Sequence, residues 1–459
     1  MDMVIKKYMW AILALGMVAN VNAQNSSEGP KTYEMTLEQA IAYGKQNSLL
    51  LKNNALDMAN ANETVKQIKS AGLPRVTAEL AYNQWLQVPK NWIPNFVPSP
   101  GSPEYIQVAF QQPVGVTGTI SASQLIFDGA YLLGLKAAKE FTNISQLLYV
   151  KSETDLEYQI AQAYVQAVGV KANLEVLNSN LNTIDSSLRM MRAMYTEGFV
   201  EKLDVDKLEL GRSNIKTQMD KLEGTIEMLN NVMKMQLGIP MGDNLNLTNS
   251  LEELNALISL PELDQEAIKN RIEVQLMNQQ LSLSQLDEKR YKVGRYPTVA
   301  AFAQHQQNTQ RPEFNFFQSN LTPNNNFIPS TLIGVKVTAT LFDGLSNRSK
   351  IREVVNNRVK MENDLENFKR FASMEFINAK ISYYNNIEQW EQQKKNITLA
   401  KNIYDRTKVK YTEGLGTALE ITQAETDLVS ANTGYQTAIN DVILSKINIK
   451  KSLGKKIIE

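Results

Sequence analysis

Leu125-Ile126-Phe127-Asp128-Gly129 returns as Thr340-Leu341-Phe342-Asp343-Gly344, displaced by 215 positions, and this recurrence decides how the chain is read. Working outward, Tyr195-Thr196-Glu197-Gly198 returns unchanged as Tyr411-Thr412-Glu413-Gly414, displaced by 216. Leu237-Gly238 returns as Leu453-Gly454 at the same displacement. Leu73-Pro74-Arg75-Val76 is echoed by Tyr296-Pro297-Thr298-Val299, eight residues out of that register. Two such matches arise by chance; four in the same order indicate an internal duplication. The halves are read as 24–260 and 261–459, each holding a helix, a strand pair and a long helical hairpin.

Each half begins with a shorter helical pattern. At 36–71 it opens on Thr36-x-x-Gln39, a reciprocal cap for the free amides of a first turn, and Gly72 and Pro74 close it. The matching pattern at 264–291 is closed by Gly294 and Pro297. Two-residue alternation follows. Val76, Ala78, Leu80 and Tyr82 share one face and Thr77, Glu79, Ala81 and Asn83 the other, while Thr117, Thr119, Ser121 and Ser123 are all hydroxyls. Later, Ile333, Val335, Val337, Ala339 and Leu341 oppose Gly334, Lys336, Thr338 and Thr340. One apolar and one polar face suits a half-buried sheet or a barrel wall. Between the strands lie irregular loops. The first, near 89–103, holds five prolines with Trp92 and Phe96. The second, near 309–329, holds Phe314, Phe316, Phe317 and Asn324-Asn325-Asn326. With Trp85 and Tyr105, these aromatics fit a lipid–water boundary or plain loop packing equally well.

After each Asp-Gly comes a helical pattern far longer than a compact domain can hold. From 131 to 195 there is no proline, and Val170, Leu174, Leu177, Leu181, Ile184, Leu188, Met191 and Tyr195 step by four and three. Ile215 to Met233 repeats the seam, as does Ile421, Ala424, Leu428, Ala431, Tyr435, Ala438, Val442, Ser445 and Ile449. A sustained 3.5-residue seam predicts coiled-coil packing. About 65 residues at about 1.5 Å each give a rod of roughly 100 Å. Asp128 and Asp343 are expected to cap these rods while Gly129 and Gly344 turn the chain from strand to helix. Gly198 and Gly414 are expected to take the left-handed turn at the rod tips, which sets Tyr195 and Tyr411 in the last helical turns.

Composition removes other classes. The 48 basic and 48 acidic residues balance, so no electrostatic footprint for nucleic acid exists. With no cysteine and one histidine, His305, there is no thiolate nucleophile, no Cys or His metal cluster and no acid/base array, and no cofactor is expected. No Gly-rich phosphate loop or nucleophile elbow is present, so the chain is read as not an enzyme. Lys6 and Lys7, the apolar run 9–19 and Val21-Asn22-Ala23 predict an export leader over 1–23, cut before Gln24. No later run reaches the roughly 18 apolar residues of a spanning helix. Without cysteine, a lipid anchor at the new N-terminus is not expected.

Four strands cannot close a membrane barrel alone, because open edges would leave backbone groups unpaired in lipid. Copies of the chain must therefore pool strands, and a strand cylinder continued by rods is a duct.

The twice-given order of helix, strand, loop, strand, Phe-Asp-Gly, long helix, Tyr-x-x-Gly, long helix and Leu-Gly resembles the TolC-like outer-membrane factors across nearly the whole mature chain. The resemblance implies an α+β, mainly α protomer giving four transmembrane strands to a trimeric twelve-stranded barrel, continued by an α-helical coiled-coil barrel across the periplasm. It also implies docking to a periplasmic adaptor and an inner-membrane transporter, with export of drugs, metals or proteins. Carried over residue by residue, it joins Tyr411 of one tip to Asp204 of the other and sets Glu420 at the mouth as a cation-favouring carboxylate. The family's second ring carboxylate is Gln423 here and its gate arginine is Gly416. Lys336 and Glu79 would face the lumen. Two other readings remain, a periplasmic coiled-coil scaffold and an adaptor protein. The first leaves the alternating strands unexplained, and the second has one hairpin where this chain has two.

Overall fold

The computed structural model describes residues 29–316, 326–413 and 415–458. The expected leader at 1–23, Phe317, Asn324, Asn325 and Gly414 lie outside the described residues. The chain is mainly helical. Strand β1 (Thr32–Met35) leads into helices α1 (Leu37–Asn47) and α2 (Leu49–Ser70), then β2 (Arg75–Gln84), β3 (Asn91–Pro94), β4 (Tyr105–Val108) and β5 (Val114–Phe127). Helices α3 (Gly129–Thr196) and α4 (Lys202–Leu237) form a hairpin, followed by β6 (Asn244–Leu247) and α5 (Leu251–Leu257). A 3-10 turn (Gln265–Asn270) precedes α6 (Ile272–Val293), β7 (Thr298–Arg311) and β8 (Ile328–Thr338), and the hairpin of α7 (Ser346–Thr412) and α8 (Ala418–Leu453) ends the chain.

The rods have the length that the uninterrupted patterns predict. Helix α3 runs 68 residues and α7 runs 67, each about 100 Å at about 1.5 Å per residue. Their partners α4 and α8 both run 36 residues. Of the predicted seam, Leu177, Ile184, Leu188 and Met191 are buried on α3, as are Ile421, Ala424, Ala438, Val442, Ser445 and Ile449 on α8. The main core lies part-way along the rods. There Leu37 of α1, Ile160 and Tyr164 of α3, Met233 and Leu237 of α4, and Ile443 and Ile447 of α8 meet. The parallel pair β1–β6 closes this core, Met35 and Leu247 standing opposite each other and both buried. This pair was not legible as strands, because four residues are too few to show a period.

The predicted helix at 36–71 starts as expected, with Gln39 N donating to Thr36 Oγ1 at 3.3 Å and Thr36 N to Gln39 Oε1 at 2.9 Å. It then breaks at Ser48, which leaves helical geometry at ψ 124°. The break falls where the chain wraps Gly238, whose α-carbon faces Asn47 O so closely that a Cβ would stand 2.7 Å away. The pattern at 264–291 breaks likewise at Arg271. That guanidinium is buried, reaching Glu375 at 2.7 Å, Glu273 at 3.2 Å and Ser452 O at 3.2 Å. Tertiary partners, not glycine or proline, set both breaks.

Strands β2, β5, β7 and β8 form one antiparallel sheet in that order, so β2 and β8 are both open edges. The apolar face is uncovered: Leu80 is 78 % and Ile333 77 % exposed. Two expectations need correction. Strand β8 ends at Thr338, so Leu341 and Phe342 lie past it and are exposed. The first loop is not wholly irregular, since β3 and β4 pair within and beside it, Trp92 opposite Gln107.

Candidate functional site at the hairpin tips

Two corners carry the chain from sheet to rod, and they differ. Asp128 is the N-cap of α3, its Oδ1 accepting from Ala130 N at 2.7 Å and Tyr131 N at 3.2 Å. Gly129 is not left-handed; it is glycine because a Cβ would stand 2.2 Å from Val293 Cγ1 of α6. In the second corner Gly344 is left-handed at φ 65° and Leu345 follows at φ 66°. Helix α7 therefore starts later, and Asp343 Oδ2 reaches forward to accept from Asn347 N at 2.7 Å.

At the first tip Gly198 has φ 78°. Its N–H donates to Tyr195 O at 3.0 Å and Phe199 N to Met194 O at 2.8 Å, the paired bonds of a left-handed helix end. At the second tip Leu415 N donates to Lys410 O at 3.0 Å. Gly416 packs on the backbone of Tyr411, a Cβ there standing 3.1 Å from Tyr411 N. A longer side chain at that position would crowd the turn.

The tips of both hairpins share a small core of Leu188, Met191, Val205, Leu208, Tyr411 and Ile421. Tyr411 is thus buried, whereas Tyr195, its counterpart by sequence, is 46 % exposed and outside the cluster. The Tyr411 hydroxyl donates to Met191 Sδ at 3.1 Å, with Met194 Sδ at 3.7 Å. The expected hydrogen bond to Asp204 is not made within the chain, because the methionine sulfurs are nearer. Asp204 instead lies in the first turn of α4, 3.7 Å from Lys207 Nζ. It still acts on Tyr411: burial, then the Asp204 charge, push that phenol above its ordinary value.

Glu420 is not a bare carboxylate at a mouth. It is the third helical residue of α8 in a capping box with Thr417, and Lys410 Nζ sits 3.0 Å from its Oε2. The Lys410 hydrogen bond, then the Thr417 amide, hold it below the usual carboxylate range. Gln423 turns away, donating to Asp427 Oδ1 at 2.9 Å.

Sequence reasoning missed the groups that stitch the rods. Arg212 pairs with Asp185 and Arg192 with Glu209, both at 2.5 Å, across the first hairpin. Between the hairpins Ser187 Oγ donates to Glu425 Oε1 at 3.3 Å. Glu425 is 4 % exposed, and burial raises its pKa. The legible signal was Thr417-x-x-Glu420, a capping box. Glu425 stands one position from the seam residue Ala424, where a carboxylate is out of place.

Residues 44–210 match the family described as outer membrane efflux protein. No curated protein matches the chain. Solved structures match far more of it. CusC, described in terms of folding and transmembrane channel formation, superposes at a TM-score of 0.73 with 14 % identity, covering 91 % of this chain and 92 % of that one. The CmeC outer membrane channel of Campylobacter jejuni gives 0.71 at 13 %, covering 92 % and 86 %. VceC, an outer membrane protein of Vibrio cholerae, gives 0.70 at 14 %, covering 92 % and 96 %. The resemblance read from the sequence finds support in two places: residues 44–210 match the efflux family's model, and 91 % of the chain shares the fold of CusC.

Proposed function

We propose that this chain is the outer-membrane channel of a tripartite efflux pump or type I secretion system, exporting small molecules or proteins across the periplasm and outer membrane. The observation that carries this reading is one sheet with two open edges and an uncovered apolar face, running through capped corners into rods of about 100 Å. An exposed apolar sheet face marks a surface that lipid or a partner covers, and its alternation with a polar face is the pattern of a barrel wall in lipid. Three copies supply twelve strands, and because β2 and β8 run in opposite directions, the edge of each copy pairs antiparallel with the next. On α7, Phe371, Met374, Ile377, Ile381 and Tyr384 are exposed at helical spacing; a neighbouring copy in the trimer covers them. The barrel lies in the outer membrane, the rods extend into the periplasm, and a periplasmic adaptor and inner-membrane transporter complete the assembly and choose the cargo.

The two halves are an internal duplication with boundaries near 260. In support, α2 and α6 are both 22 residues long, and α4 and α8 end on left-handed glycines, Gly238 and Gly454. The tips act as the gate. Tyr411, packed on Met191 beside Asp204, holds the two hairpins together, while Tyr195 and Gly198 form the outer turn of the first tip and Glu420 lines the entrance beside Lys410. The test is detergent-extracted mature protein: a trimer that forms discrete channels in planar bilayers is expected. A water-soluble monomer without channel activity overturns the proposal and leaves a coiled-coil scaffold.

A further inference from the structure

The polar face of the four-stranded sheet carries its cations at one end only, the end next to the helices. Pairing register puts Arg75, Ser123, Phe302 and Gly334 in one row across β2, β5, β7 and β8. Alternation sets all four on the face opposite the apolar one. Lys336 follows Gly334 by two residues along β8, so it is a diagonal neighbour of Phe302, about 7 Å away. Gly334 is glycine for a reason visible here: the Phe302 ring lies over it, and a Cβ would stand 2.8 Å from Phe302 Cζ. The ring thus covers the strand that carries Lys336. Arg75 and Lys336 are exposed, and among the described residues neither makes an ion pair or a side-chain hydrogen bond. The face holds one acid, Glu79, four residues beyond Arg75 and so about 14 Å further along. The rest of that face is hydroxyl, amide and small residues, broken by Leu332 opposite Gln304 and Ile328 opposite Asn308 on β8 and by Leu125 opposite Ala300 on β5.

We infer that this end of the strand cylinder is a collar selecting amphiphilic organic anions. The inference rests on the channel reading, in which the polar face lines the lumen. Phe302 offers an aromatic surface to the apolar body of the cargo. Arg75 and Lys336, from the two edge strands that subunit closure brings together, receive its carboxylate or sulfonate. Each copy adds two cations to one anion, and a low-dielectric wall concentrates that field on the passage.

The experiment uses the full mature protein in planar bilayers, with naphthalene-2-sulfonate and a naphthyl trimethylammonium ion as blockers added from the helical side. The sulfonate is expected to block at about tenfold lower concentration, the size of one charge-assisted contact. Arg75→Gln with Lys336→Gln should abolish that difference and move the potassium chloride reversal potential toward cations, and Glu79→Gln should move it the other way. Phe302→Ala should weaken sulfonate block while leaving the reversal potential in place. A conducting channel that both blockers obstruct equally, or whose reversal potential ignores the double variant, overturns the collar alone. Absence of any conductance overturns the channel reading, and the collar with it.

Discussion

Lys234 and Lys450 occupy the same place in the two hairpins: each is buried, and each donates its ammonium to the carbonyl seven residues on, Lys234 to Met241 O at 3.3 Å and Lys450 to Ile457 O at 2.8 Å. Both hold the chain where it leaves a helix at a left-handed glycine. Around Lys450 the clamp continues, with Ile457 N donating to Glu157 Oε1 at 2.7 Å and Lys45 pairing with Glu157 at 2.9 Å. Glu157→Gln removes the buried charge that pairs with Lys45, leaving it Glu153 at 3.3 Å, and Lys450→Met leaves a buried carbonyl unsatisfied. Each should lower stability by about 1–3 kcal/mol, read as the apparent Tm of the detergent-solubilised assembly. An unchanged Tm in both would show the clamp to be idle.

The two corners should respond unequally to loss of their aspartates. Asp128 caps two amides at the first turn of α3, and Asp128→Ala should cost about 1 kcal/mol. Asp343 reaches one amide from an exposed position, so Asp343→Ala should cost about half as much. Urea titration of the two variants side by side compares them; equal midpoints would contradict the difference in geometry.

Glu425 gives a pH dependence with a definite sign. Burial raises its folded-state pKa above the ordinary 4.5. Its contribution to hairpin contact is therefore complete below that ordinary value and is lost as pH rises through the raised one. Ser187, Lys408 and Tyr404 are the polar groups around it. Glu425→Gln should raise Tm at neutral pH, and the gain should vanish below pH 4.5. A gain that is constant across the titration would exclude this group as its source.

At the tip, packing and hydrogen bonding predict different outcomes for two substitutions of one residue. The Tyr411 hydroxyl meets thioether sulfur, a weak acceptor, so Tyr411→Phe should change single-channel conductance little. Tyr411→Ala empties the shared core, a loss of about 3–5 kcal/mol for a buried ring, and should open the channel markedly. If Phe opens it as far as Ala does, the bond to Asp204 forms in the assembled tip.

Much of the fold was written in periodicity. The rods, the tip at Gly198, the cap at Asp128 and the alternating faces of β2 and β5 all follow from local patterns that extend over many residues. What escaped depends on distant partners. Ser48 and Arg271 look like helix interior until Gly238 and Glu375 stand beside them. The reach of Thr298–Arg311 as a strand was hidden because Gln304, Gln306, Gln307 and Gln310 blur any apolar alternation. At the candidate site, the first tip turn was legible as Gly198, yet the partner of Tyr411 was not, since Met191 is 220 positions away.

The open edges of β2 and β8 bear on how the protein is made as well as on what it does. A lone copy carries two unsatisfied rows of backbone groups beside a greasy sheet face, the arrangement most prone to wrong pairing. In the channel proposed above, folding of the strands would coincide with arrival of sister copies and lipid. On that reading, yield should depend on how promptly the two borders find partners and not on the intrinsic stability of the rods alone.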